Sequence, residues 1–84
     1  MLNKYNELLE MLEKEEYIVD RFECNEQYEA YVSDNNYTIG IYLEDDAIEV
    51  YVHDDDDDDE ECLESKKYLN IKFAYNFIKR YLED

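Results

Sequence analysis

The stretch YTIGIYLEDDAIEVYVH, residues 37–53, constrains the fold more than any other part of the chain. Tyr37, Ile39, Ile41 and Leu43 alternate with Thr38, Gly40, Tyr42 and Glu44. After Asp45 and Asp46, Ile48, Val50 and Val52 alternate with Glu49, Tyr51 and His53. A period of two fits the pleat of a strand and not the turn of a helix, so the stretch reads as a hairpin with one apolar and one polar face. An antiparallel sheet covered on one side satisfies both faces.

The same reading extends upstream. β-branched and aromatic residues fall in short runs separated by Asn25-Glu26, Asp34-Asn35-Asn36 and Asp45-Asp46, all residue types that suit tight turns. Strands are expected over 17–24, 27–33, 37–44 and 47–53, each link short enough for a hairpin. In the second, Tyr28, Ala30 and Val32 turn inward while Glu29 and Tyr31 turn outward. The first has no clean alternation, since Ile18 and Phe22 share a face with Asp20, and Tyr17 and Val19 share one with Arg21.

Tyr5, Leu8, Leu9 and Leu12 recur at helical spacing, predicting an amphipathic helix over 2–16. Leu63, Ile71, Ala74, Phe77, Ile78, Tyr81 and Leu82 fall within one helical arc and predict a second helix over 61–83, its end carrying Lys79 and Arg80 as the helix dipole favours. The expectation is a single α+β domain over 1–84, ordered α-β-β-β-β-α. It has a four-stranded antiparallel meander with both helices on one face, and Tyr5, Tyr28, Tyr37 and Tyr81 belong to its core.

Charge is the outlying property. Twenty-five acids against eight bases give a net charge of −17, well beyond the magnitude of roughly 2 to 8 that keeps a small domain soluble. Such a field destabilises the compact state, draws in cationic partners and repels nucleic acids and anionic membranes. Direct nucleic-acid binding needs the opposite sign, and no apolar run approaches the roughly 20 residues of a bilayer span. The charge is also uneven: residues 62–84 hold five bases against three acids, while residues 1–61 hold three bases against 22 acids.

The densest acidity is the segment 54–61, made of Asp54, Asp55, Asp56, Asp57, Asp58, Asp59, Glu60 and Glu61. Alone it reads as a hydrated connector. Glu29, Glu44, Asp45, Asp46 and Glu49 place further carboxylates on the adjacent hairpin and outer face. Same-side residues of a strand stand roughly 6.6 Å apart, a regular array of negative charge comparable with a phosphate backbone. Tyr31, Tyr42 and Tyr51 stand among them, where burial does not demand aromatics but an interface uses them. These sixteen residues form the expected partner-binding set.

Other chemistries fit poorly. The acidic run lacks the alternating ligands and tight-bend glycine of a calcium loop, so neither metal nor cofactor is expected. His53 is the lone histidine, and the neighbouring aspartates raise the pKa of any thiol–imidazole pair built on it, so no catalysis is expected. Cys24 and Cys62 form no CxxC pair and read as two free, buried thiols of a cytoplasmic protein.

In size, extreme acidity and the clusters Glu44-Asp45-Asp46 and Asp54 to Glu61, the chain resembles the small virus-encoded DNA-mimic inhibitors of anti-CRISPR and anti-restriction type. That resemblance implies a non-catalytic inhibitor, acting in the host cytoplasm, that occupies the nucleic-acid groove of a nuclease or CRISPR effector complex. The rival expectations are an immunity protein or antitoxin that neutralises a basic nuclease, a weak calcium binder, and a homodimer formed through the Tyr-bearing sheet face.

Overall fold

The computed structural model describes residues 2–34, 37–54 and 62–83. Its elements are α1 (Leu2–Lys14), β1 (Val19–Cys24), β2 (Gln27–Ser33), β3 (Tyr37–Leu43), β4 (Ile48–Asp54), β5 (Cys62–Tyr68) and α2 (Ile71–Leu82). The strands form one antiparallel sheet in chain order, β1-β2-β3-β4-β5. The α+β class holds, but the sheet has five strands where four were expected.

The fifth strand replaces the first part of the helix expected over 61–83. β5 pairs with β4, placing Glu64, Lys66 and Tyr68 opposite Val52, Val50 and Ile48. An edge strand whose core side reads Glu, Lys, Tyr has no apolar period of two, and of residues 62–70 only Leu63 had supported a helix. These side chains lie against α2 instead of under it: the Tyr81 hydroxyl donates to Glu64, Lys66 Nζ stands 5.2 Å over the Phe77 ring, and the Tyr68 and Phe77 rings are 5.8 Å apart. Long polar side chains can cover apolar surface in this way while their heads stay wet. α2 starts only at Ile71 because the Asn70 side chain caps it, accepting from the Lys72 N–H at 2.8 Å.

α1 ends at Lys14, two residues short of the expected helix, through a Schellman turn. The Glu16 N–H donates to the Glu13 carbonyl at 3.0 Å and the Tyr17 N–H to the Leu12 carbonyl at 3.3 Å. The residue in the left-handed conformation is Glu16, at φ 72°. The β1–β2 hairpin uses the same conformation twice, at Asn25 (φ 50°) and Glu26 (φ 65°), the signature of a type I′ turn. Glycine adopts this region without steric cost. Glu16→Gly and Glu26→Gly are therefore each expected to stabilise the protein by about 1 kcal/mol, read as a rise in urea midpoint at unchanged m-value.

One core cluster takes in Tyr5, Leu8, Leu9 and Leu12 of α1, Ala74, Phe77, Ile78 and Leu82 of α2, and Ala30, Val32, Ile39, Ile41, Ile48, Val50 and Val52 of the sheet. The strand residues are register partners, with Ile41 between Ala30 and Val50 and Ile39 between Val32 and Val52. Tyr5 is buried as expected, its hydroxyl donating to the Ile41 carbonyl at 3.0 Å, while Tyr28, Tyr37 and Tyr81 pack against the cluster half-buried. The helices are tied near their ends by Glu15, which accepts from the Tyr75 hydroxyl at 2.8 Å and stands 3.7 Å from Lys79 Nζ.

Candidate protein-interaction surface

The sheet residues that alternate with the core positions share the other face, and the register fixes their rows. One row runs Phe22, Glu29, Tyr42, Glu49, Lys67 and the next runs Asp20, Tyr31, Gly40, Tyr51, Ser65. Gly40 sits at the centre of the second row. A Cβ there would lie 2.9 Å from Tyr42 Cε2 and 3.4 Å from Tyr31 Cε1. The single glycine of the chain thus makes room for tyrosine rings.

Tyr42 leans over Gly40 between its neighbours. Its ring stands edge-on to Tyr31 at 6.0 Å and to Tyr51 at 5.1 Å, and Tyr31 stands edge-on to Phe22 at 5.7 Å. An aromatic ladder therefore crosses four strands. The hydroxyls form a cluster: Tyr31 lies 3.3 Å from Glu29, a carboxylate to which it can donate, and 2.8 Å from the Tyr42 hydroxyl, a bond in which either phenol can donate. The hydrogen bond with Tyr42, burial and the Glu29 charge together hold the Tyr31 hydroxyl far above the ordinary tyrosine range. The hydrogen bond to Glu49 leads the causes that push Tyr51 up to about 12, with the charges of Glu49 and Glu44 adding to it. Both tyrosines stay neutral across the physiological range, as donors toward the carboxylates beside them.

Of the sixteen expected residues, Glu29, Tyr31, Tyr42, Glu49 and Tyr51 come together on this face. Glu44 and Asp45 border it, lining with Glu26, Glu29 and Tyr42 a shallow groove of about 280 Å³ at the turn end of the sheet. Asp46 is exposed in the same turn. Asp54 does not join them: it is the register partner of Tyr37, at the opposite end of β4. Asp55, Asp56, Asp57, Asp58, Asp59, Glu60 and Glu61 lie outside the described residues. Two side chains that sequence reasoning missed also belong to the face. Phe22 has no side assigned by pattern because β1 has no alternation of its own, and Lys67, expected on a helix, stands 3.9 Å from Glu49. The face is acidic with one basic margin.

Comparison with known protein families, curated proteins and solved structures finds no match to this chain. Cys24 is exposed, contrary to expectation, because β1 is an edge strand. Cys24 ends β1 at one edge of the sheet and Cys62 starts β5 at the other, four strand spacings or roughly 19 Å away across the sheet and at the opposite end of the strands besides. A disulfide within the chain cannot span that. His53 is the register partner of Cys62 and lies three strands from β1. Among the described residues, no group of three or more His, Cys, Asp or Glu side chains is placed to hold a metal ion, and no helix is long and apolar enough to cross a membrane.

Proposed function

We propose that this chain is an acidic, non-catalytic binding protein that occupies the nucleic-acid groove of a basic partner, such as a nuclease or CRISPR effector complex. The observation that carries the reading is the row in which Tyr42 stands between Glu29 and Glu49, with Glu44 bordering it, on a five-stranded sheet. Both helices are read as covering the other face, because their buried residues share one cluster with the inward strand residues. Carboxylates held on strands lose less entropy on docking than those of a flexible acidic peptide. Tyrosines between them add contact area at low rotameric cost. A groove shaped for phosphates meets here both negative charge and flat aromatic surface.

The test is competition between this protein and labelled duplex DNA for purified nuclease and CRISPR effector complexes, at low and high salt. Binding is expected to weaken steeply as salt rises, because the interface replaces a polyanion. The combined variant Glu44→Lys, Asp45→Lys, Glu49→Lys is expected to lose competition by a hundredfold or more, roughly 3 kcal/mol over three charges, with its far-UV spectrum unchanged. Affinity indifferent to salt, or to the triple reversal, would sink the proposal.

A further inference from the structure

The two edges of the sheet are built differently. β5 carries Lys66 and Lys67, and its pairing with β4 shifts register at Val52/His53; charge and irregularity both discourage an edge from pairing further. β1 has no such irregularity and no lysine, and its charges, Asp20, Arg21 and Glu23, are of mixed sign. It runs straight through six residues, VDRFEC, pairing with β2 without a register shift, and only Val19 is as much as half-buried. Phe22 is 56% exposed and is the end of the aromatic ladder, with Tyr31 on one side and solvent on the other.

Hairpin geometry says which groups this edge offers. A two-residue type I′ loop closes on the pair that exchanges both backbone hydrogen bonds, here Cys24 and Gln27. Phe22 and Asp20 therefore bond to β2, while Val19, Arg21 and Glu23 direct N–H and C=O outward from the sheet.

We propose that β1 pairs antiparallel with β1 of a second copy of this chain, about a two-fold axis at Phe22, so that two five-stranded sheets become one. In that register each Arg21 faces Glu23 of the other copy as a hydrogen-bonded pair, and the opposite charges match twice by symmetry. Phe22 meets its own copy as a non-hydrogen-bonded pair, where side chains approach most closely. The ladder of Tyr51, Tyr42, Tyr31 and Phe22 then continues into its symmetry mate without a break. Arg21 already donates from both Nε and Nη2 to Glu13, and the guanidinium keeps further N–H groups for Glu23 of the second copy. A shift of one residue toward the N-terminus would set Arg21 against itself, which is why the axis falls at Phe22. Two chains of −17 repel one another, so this association strengthens as salt screens them. Docking into a phosphate groove does the reverse, and the two readings are thereby separable.

Sedimentation velocity across a range of protein and sodium chloride concentrations tests it. The dimer fraction is expected to rise with both, and Phe22→Asp to weaken association at least tenfold while the far-UV spectrum is retained. The register gives a second readout: Asp20 lies opposite Cys24 of the other copy, so Asp20→Cys is expected to form a disulfide-linked dimer with the native thiol under mild oxidation. A chain that stays monomeric at every salt concentration overturns the proposal. A dimer indifferent to Phe22→Asp, or an Asp20→Cys chain that does not cross-link beyond the parent, overturns it equally.

Discussion

Ile41→Ala is expected to cost the protein about half of its stability or more at 25 °C. Ile41 is fully buried on β3, the middle strand of five, and its register partners Ala30 and Val50 are small. Little side-chain volume is at hand to refill the space. Truncating a buried Ile to Ala typically costs about 2–5 kcal/mol, and an 84-residue domain has a total stability on the order of 5 kcal/mol. The Ile41 carbonyl also holds the Tyr5 hydroxyl, so a shift of β3 disturbs the seat of α1. The net charge of −17 works in the same direction. Urea midpoints of both proteins should rise with salt as the Debye length falls from about 10 Å at 0.1 M to about 3 Å at 1 M, while the gap between them persists. A gap below about 1 kcal/mol would mean that this position is not close-packed.

The β3–β4 hairpin was legible because burial on one side and water on the other imprint a period of two, and because Glu44 to Asp46 could only be a turn. β2 followed from the same rule. β1 was expected as a strand over 17–24 and lies at Val19–Cys24, but which of its sides faces the core was not legible, and β5 was not foreseen at all, because edge strands are released from that rule. β1 is exposed on nearly every residue, and β5 turns Glu64, Lys66 and Tyr68 toward α2, a sequence no hydrophobic pattern marks. The error at β5 carried into the site, since a strand there delivers Lys67 to the face where a helix would not. The Glu29, Tyr42, Glu49 row was within reach once the strands were aligned. The role of Gly40 was not, because it follows from where the Tyr42 ring comes to rest and no local pattern encodes that.

Eight of the ten tyrosines should also make the fold fail cooperatively in alkali. Burial raises the Tyr5 hydroxyl far above its ordinary value, and the hydrogen bond with Tyr42 does the same for Tyr31. Tyr51 and Tyr81 are pushed up to about 12, led by their hydrogen bonds to Glu49 and Glu64. Tyr17, Tyr28, Tyr68 and Tyr75 move the same way. A phenol whose folded pKa exceeds the unfolded value near 10 keeps its proton longer in the native state. The stability it contributes is full below about pH 10 and is lost as pH climbs toward the folded pKa. For Tyr5, 2% exposed, the linkage slope is about 1.4 kcal/mol per pH unit; the more exposed tyrosines add smaller, solvent-screened amounts of the same sign. Against a total on the order of 5 kcal/mol, unfolding between about pH 10 and 12 is the expected result, with tyrosinate absorbance and far-UV circular dichroism changing together. Tyr5→Phe should lose about 1 kcal/mol at neutral pH for its missing hydrogen bond and show a shallower alkaline slope. Tyrosines that ionise one by one while the circular dichroism stays constant would mean that neither burial nor the carboxylate hydrogen bonds hold their protons in the folded state.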